Sequence, residues 1–530
     1  MPTPVVSALR SETYTLSELL TMITRHRREL VAANLIAVLG ALVSVPVPLL
    51  IPLLVDEVLL DQPGATVALM QRLFPEAWQG PVLYISAILL LTLFLRFLTL
   101  VFNVWQTREF TLISKEVIFR IRRDLLERLQ RFSMSKYELL GSGTVASHLV
   151  TDLDAIDQFV SQTTSKFVVA VLSVVGTALV LLWMHWQLAL FILLLNPVVI
   201  WITTRFGQKV KHLKQQENRA WQAFQETLAE TLDAIAEIRA ANRERNYIRR
   251  VIEAAAGIRD RSASFTWRSD AANRLSFMVF LFGFDAFRSL SMIMVLYSGL
   301  TIGEMLAVYA YLWFMMSPVQ EILNIQYALH AARAALGRIN KLMDVGLEPH
   351  YPHLENPFAG RLSTSIEVED LCFSYDGETP VLNHLNLRIA AGEKVALVGA
   401  SGGGKTTLVQ ILLGLYIPQQ GTVRYDGVPV ERIGLDVVRE HVATVLQQPA
   451  LFNDSIRANL TLGRELPEEH LWQALEIAQL AEVVRHLDDG LETHIGRDGV
   501  RLSGGQRQRL AIAPWCSRTA RSSRTAATNS

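Results

Sequence analysis

Six apolar stretches, each of roughly 20 residues, crowd the part of the chain before position 325: Val31 to Leu54, Val82 to Phe102, Phe167 to Trp183, Leu188 to Thr204, Leu275 to Leu296 and Ile302 to Ile322. That is the length at which a helix crosses the hydrocarbon of a bilayer, and no span of this kind occurs in the second half. A soluble core can bury one such run, but hardly six, so a polytopic membrane domain is expected. The 50 Lys and Arg are balanced by 50 Asp and Glu, so no overall charge points to nucleic acid as a partner. Cys372 and Cys516 lie far apart without C-x-x-C spacing, which supports neither a disulfide framework nor a zinc site, and the soluble part is expected in the cytosol. Met1 to Thr15 lacks the pattern of a removable signal peptide, leaving the first membrane helix as the address.

Basic residues beside the spans set the expected orientation. Arg25, Arg27 and Arg28 precede the first, and Arg108, Lys115, Arg120, Arg122, Arg123, Arg128, Arg131 and Lys136 follow the second, whereas the loop after the first begins with Asp56, Glu57 and Asp61. Both termini are therefore expected in the cytoplasm of a multi-pass cell-membrane protein. Leu16, Leu19, Leu20 and Ile23 give the segment Leu16 to Leu30 an apolar side suited to a short helix along the inner surface. The connections Asn103 to Lys166 and Arg205 to Arg274 are too long for plain loops and read as helices. Ile113, Val117, Ile121, Leu125 and Leu129 recur every four residues, so the second span is predicted to run on roughly 40 Å into the cytosol. Reversals are placed near Leu140 to Gly143 and near Phe224 to Glu230.

After about Ala335 the hydropathy falls, and Gly346 to Gly360, with Pro349, Pro352 and Pro357, suits a linker. Beyond it, short β-rich runs (Ser365 to Val368, Lys394 to Val398, Val442 to Val445) alternate with helical ones, the pattern of an α/β domain. The run Lys394 to Val398 leads into Gly399, Ala400, Ser401, Gly402, Gly403, Gly404, Lys405 and Thr406, a complete G-x-x-x-x-G-K-T phosphate loop. Glycines let the backbone wrap phosphate oxygens, the helix N-terminus adds positive potential, Lys405 is expected on the β- and γ-phosphates, and the Thr406 hydroxyl on Mg2+.

A phosphate loop alone leaves kinases, GTPases and other ATPases open. A second motif, Leu502-Ser503-Gly504-Gly505-Gln506 followed by Arg507, Gln508 and Arg509, resembles the signature of ATP-binding cassette (ABC) proteins, and the order of domains resembles an ABC exporter half-transporter. The resemblance covers about Leu16 to Ala513. It implies an all-α six-helix transmembrane exporter domain (31–335, after an N-terminal segment 1–30), a linker (336–364), and an incomplete α/β nucleotide-binding domain (365–513). It implies ATP held between the phosphate loop of one chain, Thr407 included, and the Ser503 to Gln506 signature of another, so a second half-transporter, identical or not, is an expected partner beside membrane lipid. Tyr375 is similar to the aromatic residue that stacks on adenine, and Gln447 to the glutamine that senses Mg2+ and the attacking water. Tyr137 to Gly143 and Phe224 to Glu230 are the implied contacts with the nucleotide domain.

The family pattern would continue past Ala513 with a helix, a hydrophobic strand ending in Asp-Glu and a switch histidine. Pro514 to Ser530 instead reads as a polar, basic stretch, as if the reading frame had slipped, and disorder is its expected state. The Asp would help hold Mg2+ and the Glu would polarise water. ATP-driven export of a small or amphipathic substrate is the leading expectation. A nucleotide-binding but non-hydrolysing partner subunit and an inactive truncated product are the alternatives. Leu53 to Glu57 imitates the lost strand but ends the first span. Arg96, Asp285 and Arg288 fall inside apolar runs, where ionisable groups line a path or pair internally, as Asp285 and Arg288 could at three-residue spacing.

Overall fold

The computed structural model describes residues 13–513 except Pro63, Leu362, Asp376, Ser401, 446–449 and 497–501, with backbone alone for 65, 139, 191–200, 202–204, 206–209 and 323. The chain divides into two compact units, one from 12–123 and 148–340, the other from 124–147 and 341 onward.

The first unit is helical. Among the described residues, five helices are long and apolar enough to cross a membrane: Arg27–Leu59, Pro81–Leu129, Ser142–Leu190, Glu244–Tyr297 and Ile302–Met343. The fourth predicted run continues the third inside one helical assignment, Thr164–Asp233, broken where His185 leaves helical geometry (φ −157°, ψ 96°). Their surfaces are apolar on the outside: Leu90, Phe97 and Leu179 are exposed, which a water-soluble bundle avoids and lipid favours. Exposed Trp78, Trp183, Trp186 and Tyr297 gather at the short connections between spans, as an aromatic belt would.

Helix Leu16–Arg25 begins in a capping box, Thr15 Oγ1 accepting from the Glu18 N–H and Glu18 Oε2 from the Thr15 N–H. Its apolar side is turned inward at Leu19, Met22 and Ile23, while Leu20 is exposed. The helix Pro81–Leu129 carries the second span far past its apolar part, with Ile113, Val117, Ile121 and Leu125 buried as the four-residue spacing requires. The second reversal corrects the reading. Phe224 to Glu230 lies within the helix ending at Asp233, and the chain turns at Ala234 and Asn242 around the short helix Ile235–Ala240. Asn242 supplies a left-handed residue (φ 53°) where neither Gly nor Pro advertises a turn. The first reversal uses Gly141 (φ 72°) between Met134–Leu140 and Ser142–Ser147.

Leu53 to Glu57 is not a strand but part of a π-helical turn, Leu53–Leu59. Asp56 accepts from the Thr301 hydroxyl (2.5 Å) and the Gly303 N–H (2.8 Å), capping helix Ile302–Met343. Glu57 accepts from the N–H groups of Thr66 and Val67, capping helix Ala65–Leu73. Deeper in the unit, Tyr311 is fully buried and donates to the Val45 carbonyl (2.7 Å). Asp285 and Arg288 pair with each other at 3.1 Å. Toward the other end of helix Ile302–Met343, Arg338 forks onto Asp152, which His148 also meets at 2.6 Å.

The second unit holds a four-stranded antiparallel sheet in the order β2-β1-β3-β4, with β1 Ile366–Phe373, β2 Leu382–Ile389, β3 Gln420–Tyr425 and β4 Val428–Pro429. Val368 faces Leu387 on one side and Val423 on the other. This sheet and helix Lys405–Leu412 enclose one core around Leu371, Phe373, Leu408, Ile411 and Tyr425. A separate core of Leu471, Leu475, Val484, Leu491 and Ile495 also takes in Leu510 and Ala513 from helix 504–513. The predicted strands Lys394 to Val398 and Val442 to Val445 do not form. A strand needs a neighbour for its N–H and C=O groups, and among the described residues neither run finds one; Val398 is 89% exposed.

Candidate functional site

The site grows from the end of β1 and the start of helix Lys405–Leu412. Gly404 is the N-cap of that helix in a left-handed conformation (φ 78°), and a Cβ there would lie 2.7 Å from Leu382 and 3.1 Å from the Val381 carbonyl. Only glycine allows the start of β2 to approach so closely. The first N–H groups of the helix have no partner within it, so its end carries positive potential. Thr406 is exposed there. The Lys405 ammonium bends back over the loop and donates to the carbonyls of Gly399 (2.9 Å) and Ala400 (2.6 Å). Among the described residues it has no carboxylate partner. Gly402 also takes a positive φ (80°), and the Gly403 N–H donates to the Ala400 carbonyl (3.1 Å). A glycine-rich loop, crossed by the Lys405 ammonium at a helix N-terminus, is the cradle a triphosphate requires.

Tyr375 stands beside it, half exposed, its hydroxyl 2.8 Å from that of buried Thr407. Its ring meets Phe373 and Tyr416 edge-on, while Phe373 and Tyr416 stack (5.4 Å between centroids). The hydroxyl of buried Tyr416 donates to the carboxylate of Glu138 on helix Met134–Leu140, and Met134 packs on the same core. Burial first, and then the hydrogen bond and charge of Glu138, push the Tyr416 phenol above its ordinary range. The segment Tyr137 to Gly143 therefore does meet the nucleotide unit, and Tyr416, which sequence reasoning passed over, is its receptor. No local pattern marks Tyr416; only its position after helix Lys405–Leu412 could have done so.

The signature serine heads helix 504–513 through a second capping box: Ser503 Oγ accepts from the Gln506 N–H (3.3 Å) and Gln506 Oε1 from the Ser503 N–H (2.8 Å). Gly504 and Gly505 form the exposed first turn, with open space around both. The two glycine-bearing helix starts rest on different cores and share no hydrogen bond among the described residues. Ser401, Gln447 and Pro514 to Ser530 lie outside the described residues.

Two family patterns settle what this architecture is. The pattern of the ABC transporter transmembrane region matches residues 30–319, and that of the ABC transporter matches residues 382–521. The chain belongs to the ABC transporter family. Its relatives include the ATP-dependent lipid A-core flippase of Chromobacterium violaceum, 30% identical over 404 residues (76% of this chain, 68% of that one). The flippase of the same name from Syntrophus aciditrophicus is 28% identical over 418 residues (78% and 68%). The uncharacterized ABC transporter ATP-binding protein YwjA of Bacillus subtilis is 31% identical over 396 (74% and 68%). A solved bacterial Atm1-family ABC exporter with ATP bound superposes with a TM-score of 0.74 at 22% identity, covering 93% of this chain and 84% of that one, which shares its fold. This ABC protein is thus a half-transporter of the exporter arrangement, a multi-pass membrane protein whose second domain is of the ATP-binding type, and such half-transporters work as dimers.

Proposed function

We propose that this exporter half pairs with a second half-transporter and uses ATP to move an amphipathic substrate out across the membrane, with both termini in the cytoplasm. One observation carries the reading: the aromatic group beside the phosphate loop is also the group that holds Glu138. A change at the nucleotide is then felt two side chains away, at a segment that continues from the second membrane helix. In this reading Gly399, Ser401, Gly402, Gly403 and Gly404 wrap the phosphates and Lys405 leaves its two carbonyls for the β- and γ-oxygens. Thr407 packs beneath the loop and Tyr375 lies against adenine. Mg2+ would be held by the Thr406 hydroxyl and Gln447, and would neutralise charge on the phosphates. Ser503, Gly504, Gly505 and Gln506 present a helix N-terminus to the phosphates held by the partner chain.

The test is nucleotide binding and turnover by the purified full chain in lipid. Wild type is expected to bind a fluorescent ATP analogue and Lys405→Ala to weaken that binding at least tenfold, as expected for losing a charge-assisted contact. Absence of binding by correctly inserted wild type would refute the reading. Binding without turnover by the chain alone would assign it the part of a non-hydrolysing partner.

A further inference from the structure

The helix that opens at the phosphate loop must also end, and its last carbonyls need donors. Side chains supply them at the end of Lys405–Leu412: the Tyr425 hydroxyl donates to the Leu412 carbonyl, and the Arg439 guanidinium to that of Gly414. Gly414 sits in left-handed backbone (φ 66°), and a Cβ there would stand 2.6 Å from Leu435 Cδ2. Leu435 and Arg439 are four apart on helix Leu435–His441, so one face of that helix, a buried leucine and a cation, grips the end of the phosphate-loop helix.

The same guanidinium holds the linker. Arg439 Nη1 and Nη2 fork onto the two carboxylate oxygens of Glu348 at 2.9 and 2.8 Å, a bidentate geometry that fixes orientation as well as distance. Glu348 is pinned in turn through its N–H, which donates to the Arg131 carbonyl (2.8 Å). The Ser133 N–H donates to the Gly346 carbonyl (2.9 Å), and Phe132 pairs with Leu347 across a β-bridge. These residues follow closely on the ends of two membrane helices, Pro81–Leu129 and Ile302–Met343. The chain leaving the second span and the chain leaving the last are therefore bound to each other, and Arg439 binds that junction to the nucleotide cradle. Beside the fork a cavity of about 350 Å3, lined by Arg131, Pro349, Tyr351 and Leu435 among others, leaves the linker room to shift.

Eight residues of helix, about 12 Å, separate the phosphate loop from this grip, and so short a helix moves as one body. We infer that Arg439 is a positioning residue that makes the linker a second reader of the nucleotide. A shift of helix Lys405–Leu412 passes through the Gly414 carbonyl to the guanidinium, and from there to Glu348 and the joined segments 131–133 and 346–348. Tyr416 holds Glu138 a few residues further along the same chain, so the two routes converge on 131–140. The inference rests on the proposed nucleotide site, and adds a route by which its occupancy is felt.

The full chain in nanodiscs is followed by hydrogen–deuterium exchange over 346–351, without nucleotide and with the Mg2+ complex of a non-hydrolysable ATP analogue, whose binding is measured separately by displacement of a fluorescent one. Wild type is expected to change its exchange there about tenfold on binding, what one charge-assisted hydrogen bond covers. Arg439→Gln should still bind the analogue and lose the response. Arg439→Lys should keep part of it, since an ammonium cannot fork onto Glu348 and reach Gly414 together. The swap of Glu348→Arg with Arg439→Glu separates positioning from mere attachment: it restores an ion pair, and with it the resting exchange of the linker, but a carboxylate cannot donate to the Gly414 carbonyl, so the response should stay absent. A response undiminished in Arg439→Gln, or recovered by the swap, would overturn the assignment. A further arm needs no nucleotide. Gly414→Ala, which drives a methyl at Leu435, and Leu435→Ala, which loosens the same grip without backbone strain, should each raise exchange over 346–351, and neither should raise it further in Arg439→Gln. If wild type fails to bind the analogue, the nucleotide reading falls and this arm still tests the link; if it binds and both variants leave the linker unchanged, the link alone falls.

Discussion

Replacing Gly404 by Ala tests the phosphate loop with two separable penalties. An L-residue held at φ 78° pays about 1–2 kcal/mol for left-handed backbone. The added Cβ would also stand 2.7 Å from Leu382 Cδ2 and 3.1 Å from the Val381 carbonyl oxygen. The leucine methyl can swing away, but the carbonyl is backbone joined to β2, so the overlap adds about 1–2 kcal/mol rather than the top of the overpacking range. Gly402 is the control: its φ is 80°, yet no heavy atom lies within 4 Å of the site of its Cβ, so Gly402→Ala should pay the backbone penalty alone. Hydrogen–deuterium exchange of the peptide covering 405–412 reads local opening directly. Gly404→Ala should open it about 5- to 30-fold more than Gly402→Ala, the conversion of that overlap term. Equal exchange in the two variants would refute the reasoning, since packing of β2 against the loop would then contribute nothing.

The Glu138 and Tyr416 pair should couple by about 1 kcal/mol in a cycle of Glu138→Gln and Tyr416→Phe, read by exchange over 134–140; strict additivity would show that the bond does not hold that segment. Asp426, at the turn joining β3 to β4, has its carboxyl held below the usual range chiefly by the Ser365 N–H, then by the Ser365 hydroxyl and Arg361, against partial burial. A depressed carboxyl stabilises above its unfolded pKa and loses that contribution as pH falls through its folded value. The difference in thermal unfolding between wild type and Asp426→Asn should therefore be full near neutrality and close only below about pH 4; a difference that persists at the lowest pH would sink this account.

The spans were legible because a bilayer imposes length and hydropathy on contiguous residues, and the buried Ile113, Val117, Ile121 and Leu125 because helical spacing leaves a periodic trace. The S-x-x-Q spacing of Ser503 and Gln506 carries the capping box that starts helix 504–513, a signal the sequence reading did not use. The second reversal was not legible, since Asn242 alone signals it weakly. Lys394 to Val398 and Val442 to Val445 have strand composition but find no strand to pair with among the described residues, and pairing is a tertiary fact that composition cannot supply. Arg96 stood out as a charge inside an apolar run, but Thr92, Thr99 and Asn103, which share its helix face, did not, because a search for runs of hydrophobicity passes over scattered neutral polar residues.

The wide turn at Leu53–Leu59 gives two neighbouring acids two different clients, Asp56 serving a helix that starts at Ile302 and Glu57 one that starts at Ala65. The rim at that end of the membrane unit is thereby closed by side chains, joining the first span to the last without a covalent link. Such a closure is indexed to the single residue: sliding the sequence by one place would present each helix with a neutral or misdirected neighbour and release both at once. Insertions should accordingly be tolerated in the loop beyond Leu60 and rejected within the turn itself.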